Sequence, residues 1–116
     1  MNAIDVLRER LKHNLAGFRQ KWLEMSREKL IDNAYEIYAV QSVYRELSRL
    51  VSEEDAEVLL KYENPLDVVT DIFTMGDVAN DNDLISEFEA DYQRTIGKIR
   101  SFNDKDIEEI GFAVAS

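Results

Sequence analysis

The chain has 116 residues, of which 45% are hydrophobic and 33% charged, with no cysteine and a net charge of −10. These totals fit one globular domain, residues 1–116, with enough apolar material for a core that needs neither disulfides nor zinc–thiolate sites. No apolar run approaches the roughly 20 residues of a spanning helix, and Asp5, Arg8, Glu9 and Arg10 interrupt the stretch where a signal peptide would be apolar, so a cytoplasmic protein is expected.

Strand-like alternation is scarce and helical spacing recurs throughout, which predicts an all-α fold: a small single-domain helical bundle of four main helices plus one short helix. In helix 1, Ile4, Leu7, Leu11, Leu15, Phe18, Trp22 and Met25 share one face, Asn2 is the cap, and Arg8, Lys12 and Arg19 lie opposite. Gly17 interrupts the pattern, at a cost of about 1 kcal/mol against Ala, and suggests a close contact or a bend. Ser26 caps helix 2, whose face is Leu30, Ala34, Ile37, Val40, Tyr44, Leu47 and Val51. A second row, Ile31, Tyr35 and Tyr38, widens that arc and suggests a central helix. Ser52 starts short helix 3, burying Ala56, Leu59 and Leu60. Asn64-Pro65 starts helix 4, with Val69, Ile72 and Phe73 inward and Gly76 as terminator. After a loop at 77–82, helix 5 begins near Asp81, Asn82 or Asp83 and turns Leu84, Ile85, Phe88, Tyr92, Thr95, Ile96, Ile99 and Phe102 inward. One more turn is expected at 105–110.

The charge is uneven. Residues 1–50 hold nine Lys and Arg against seven Asp and Glu, a balance of +2, and residues 51–116 hold five against seventeen, a balance of −12. Between Glu53 and Asp91 the only base is Lys61. Direct binding to nucleic acid or an anionic membrane needs Lys and Arg, so this half is unsuited to either. A basic protein surface is the partner such a field suits.

No motif carries catalysis. A calcium loop starting at Asp77 would place Asn82, and one starting at Asp81 would place Ser86, where an EF-hand needs glycine. His13 is the only histidine, lies at the edge of the apolar stripe and has no nucleophile motif beside it. Four scattered glycines build no phosphate cradle. No metal, cofactor or catalytic residue is assigned, and a non-enzymatic role is expected. Trp22 and Tyr44 suit the core, whereas Tyr35 and Tyr38 suit either a core edge or a recognition surface.

The acids allow two readings. Glu53, Glu54, Asp55, Asp67 and Asp83 are favourable in first helical turns and need no further purpose. Asp67, Asp71, Asp77, Asp81, Asp83, Glu87, Glu89 and Asp91 could instead form an acidic docking face, and with little neutralisation they would imitate a nucleic-acid backbone. The partner would then be a basic, nucleic-acid-binding protein. The alternative is a structural or regulatory homodimer joined through an apolar helix face.

Residues 18–73 also resemble an uncharacterised small-protein family, a domain of unknown function in Firmicutes conjugative elements and phages. Phe18, Trp22, Leu23, Ile31, Ala34, Tyr35, Glu36, Leu59, Leu60, Pro65 and Leu66 carry the resemblance. It implies a helical fold and a mobile-element setting, with host-defence antagonism or regulation of the element as the associated expectations, and it supplies no active site.

Overall fold

The structure, a computed structural model, describes residues 2–78, 88–102 and 104–110. Among these the chain forms seven helices and no strand: α1 (Ala3–Leu23), α2 (Arg27–Asp32), α3 (Ala34–Leu50), α4 (Glu53–Leu59), α5 (Pro65–Val78), α6 (Phe88–Arg100) and α7 (Asp104–Ile110). None is long and apolar enough to cross a membrane. The all-α class holds, while the helix count differs from the expected four and one.

Local chemistry sets the helix starts. The side chains of Asn2, Ser26, Ser52 and Asn64 accept the backbone N–H of Asp5, Lys29, Asp55 and Asp67 at 2.8 to 3.2 Å. Each satisfies an N–H that the helix itself cannot. The expected helix 2 is broken at Asn33, which has φ −104° and ψ 13°. The Asn33 side-chain amide donates to the Lys29 carbonyl at 2.8 Å, a local bond that competes with helix continuation. At the other boundary the expectation also fails: α5 runs through Gly76 to Val78. Glycine tolerates a helical end but does not impose one. The predicted start of helix 5 at 81–83, with Leu84 and Ile85, lies outside the described residues, as does the rest of the expected loop from residue 79.

The core collects Leu7, Leu11 and Leu15 from α1, Val40, Val43 and Leu47 from α3, Ala56 and Leu59 from α4, and Phe88, Tyr92, Ile96 and Ile99 from α6. In α5, Leu66, Val68, Val69, Thr70, Ile72 and Phe73 are all buried, so this helix needs cover on several sides. It packs against α1, α3 and α6. Phe88 meets Phe73 edge-on at 5.3 Å and Tyr92 edge-on at 5.9 Å, arrangements that suit the quadrupoles of the rings.

Charged side chains tie helices together. The Glu53 carboxylate accepts the N–H groups of Ala3 and Ile4, so the first turn of α4 caps the first turn of α1. Arg8 donates to the Ser48 carbonyl at 3.0 and 3.1 Å, and Arg10 donates to the Leu60 and Tyr62 carbonyls at 2.9 and 3.1 Å. Both close carbonyls at the ends of other helices, where a cation is favoured. Arg8 remains exposed, as its place opposite the apolar face suggests, while reaching α3.

Asp55 was expected only as a first-turn acid. It is buried, accepting the Tyr92 hydroxyl at 2.7 Å and the Arg100 Nε–H at 3.0 Å. Burial pushes its carboxyl up, but the Tyr92 hydroxyl, the Arg100 guanidinium and the Ser52 hydroxyl outweigh it and hold the group below the usual carboxylate range. The stability this contributes is complete above the ordinary Asp pKa and is lost as pH falls through the lowered value.

Tyr92→Phe leaves one side of this buried carboxylate unbonded and should cost about 2 kcal/mol in urea denaturation. A Cβ added at Gly17 meets nothing within 4 Å, so the expected close contact is absent. Gly17→Ala should therefore raise stability by about 1 kcal/mol in the same assay.

Candidate partner-binding surface

The eight acids singled out from the sequence do not share one environment. Asp81, Asp83 and Glu87 lie outside the described residues, as does the side chain of Asp77. Glu89 stands 3.1 Å from Arg49 of α3, which also pairs with Glu46. Asp91 accepts the Arg94 Nε–H at 2.8 Å. Within the described residues both stand in the first turn of α6. The expectation that these carboxylates are little neutralised is corrected for Glu89 and Asp91. Their partners are arginines, one on another helix and one a single turn onward.

Asp67 and Asp71 are different. They sit four residues apart on α5, one turn from each other, and both are half-buried. Burial pushes the Asp67 carboxyl up, and Lys21 partly offsets it. Burial, with the negative charges of Asp67 and of Glu36 on α3, raises Asp71 to about 6. The described charges acting on Asp71 are thus both negative, one from its own helix and one from α3. A sequence shows charges along α5, but not that α3 adds another from across the interface.

Ile31 was expected to widen the apolar arc, and Tyr35 and Tyr38 to stand at a core edge or on a recognition surface; they are 67%, 39% and 45% exposed. α2 buries none of its residues, because the break at Asn33 ends the continuous helix that would have carried Ile31 into the core. The multi-neighbour role expected for this segment does hold for α3, which packs on α1, α5 and α6, through Val40, Val43 and Leu47 instead. Tyr38 also lines a small groove of about 120 Å³ with Ser42, Arg45, Glu46, Phe88 and Glu89. Trp22 and Tyr44 pack against the core as expected, and Tyr62 is buried.

A second concavity, of about 280 Å³, lies between α1 and the start of α5, lined by His13, Asn14, Gly17, Phe18, Lys21, Asn64 and Asp67. No group of three His, Asp or Glu side chains among the described residues is arranged to hold a metal ion. No known family pattern, curated protein or solved structure matches the chain. The family resemblance carried by residues 18–73 therefore rests on those residues alone.

The raised Asp71 has a direct consequence for stability. Its charged form is disfavoured in the fold, so the folded state takes up a proton before the unfolded state does. Asp71→Asn should stabilise the protein at pH 7 by about 1 kcal/mol, allowing for solvent screening. In thermal melts across pH the advantage should shrink steadily as pH falls from about 6 towards the ordinary Asp range.

Proposed function

We propose that this chain is a non-enzymatic interaction protein that docks a basic protein surface through the face formed by α3 and α5. The observation that supports this reading is that Glu36, which acts on the half-buried Asp71 of α5, stands on α3 next to the exposed Tyr35 and two residues before the exposed Tyr38. A half-buried carboxylate such as Asp71, acted on by two other negative charges, is stabilised by an arriving Lys or Arg. Neighbouring aromatic and aliphatic side chains supply the apolar contact that anchors an interface, with the acids as its steering rim. In its more specific form the partner is a nucleic-acid-binding protein of a host-defence or replication system, and this chain competes with its nucleic acid. The pairing of Glu89 with Arg49 and of Asp91 with Arg94 gives that form less support than the general one.

A second reading is a homodimer joined through an apolar helix face, which the exposure of Ile31 and Tyr38 favours.

Affinity capture from the source cell at low and high salt, with competition by DNA, tests the first reading. A basic partner should be retained at low salt and released at high salt. It should be lost from a Glu36→Gln, Asp71→Asn double variant and from Tyr38→Ser. Salt-insensitive capture that all variants share would sink the proposal. Sedimentation at high concentration tests the second reading: a wild-type dimer that Ile31→Ser with Tyr38→Ser converts to monomer is the outcome it requires.

A further inference from the structure

A groove of about 420 Å³ runs along α1 beside α3. Lys12, Ala16, Arg19 and Leu23 of α1 line it, and their spacing of four, three and four residues places them in one row on that helix. The buried Leu15 and the partly buried Tyr44 of α3 complete an apolar lining between the two cations. All four residues of the row are exposed. Leu23, at 81%, is the most exposed large hydrophobic side chain among the described residues.

The sign of this groove is opposite to that of the molecule. The chain carries a net charge of −10, yet no acid lines the groove, and Gln20, which also lines it, is neutral. Glu9 and Glu24 of the same segment stay outside it. Lys12 and Arg19 take part in no ion pair among the described residues. Two free cations therefore flank an apolar strip that ends on an uncovered leucine.

We propose that this groove receives an acidic amphipathic helix from a protein partner, with carboxylates on Lys12 and Arg19 and apolar side chains on Ala16, Tyr44 and Leu23. Lys12 and Arg19 stand seven residues apart, about 10 Å along the axis. Two acids seven residues apart on a helix laid alongside α1 match that separation, and the side chains between them at three and four residues face the same way. Leu23 carries the apolar contact one turn further, to a row about 16 Å long. Nucleic acid fits less well. Two cations release few counterions, the net charge repels a polyanion, and a phosphate backbone gives Leu23 no apolar contact. The groove shares no lining residue with the α3–α5 face, so the chain presents two docking faces of opposite sign.

The test uses a fluorescein-labelled, alanine-based helical peptide of about 16 residues. It carries two Glu seven residues apart, Leu at the two positions between them on the same face, and one further Leu a turn beyond. The control peptide has Lys in place of Glu. Titrated with the full chain, the Glu peptide should bind saturably, weaken as salt rises and shift the backbone NMR signals of Lys12, Ala16, Arg19 and Leu23. The Lys peptide should bind this site at least about tenfold more weakly. Lys12→Gln with Arg19→Gln, and separately Leu23→Ser, should each weaken the Glu peptide by about tenfold or more, in variants whose thermal melts match wild type. No saturable binding, shifts away from the groove, or equal binding by the variants would overturn the inference. So would duplex DNA or phosphatidylglycerol vesicles that take the groove in preference to the Glu peptide. Self-association of the wild type that Leu23→Ser removes, with no peptide binding, would assign the groove to a second copy instead.

Discussion

The fold depends on covering α5. Leu66, Val68, Val69, Thr70, Ile72 and Phe73 are all buried, so one side of this helix cannot be left to water. α1, α3 and α6 each supply part of the cover, and their apolar stripes are placed by that demand. Asp67 and Asp71 are carried along the same helix and end at the margins of its cover. There both are drawn partly out of water, and Asp71 also feels Asp67 and Glu36. The raised carboxyls are therefore a by-product of where α5 must sit.

The remaining charge is sorted by geometry more than by count. Glu53 closes the start of α1, Arg8 and Arg10 close the ends of α3 and α4, and Asp55 is fixed by Tyr92 and Arg100. Glu89 and Asp91 are held by arginines. A chain of net charge −10 thus spends many acids internally. Net charge sets the long-range field, but what a partner meets at contact is the unpaired remainder.

Much of the fold was legible. Asn2, Ser26, Ser52 and Asn64 cap as their positions suggest, and the stripes of α1, α5 and α6 point inward, because local hydrogen bonds and 3.6-residue spacing depend on near neighbours only. The break at Asn33 was not legible. Ala34 and Ile37 continue a helical pattern across it, and only the side-chain bond to Lys29 shows why the helix stops. For the site, Asp67 and Asp71 were singled out from the sequence, but Glu36 was not joined to them. Their association is made by packing between helices distant in sequence. Asp55 looked like any first-turn acid, because its partners lie 37 and 45 residues away.

The reach of α1 bears on the order in which the molecule assembles during translation. Its hydrogen-bond partners Ser48, Glu53, Leu60, Tyr62 and Glu63 are 40 to 52 residues further along the chain. When α1 leaves the ribosome, nothing that completes it has been made. Its apolar stripe must wait through the synthesis of α2, α3 and α4, exposed to whatever else can cover it. The helix is thus secured only once α4 and the turn after it have been made, and until then its fold rests on local structure alone.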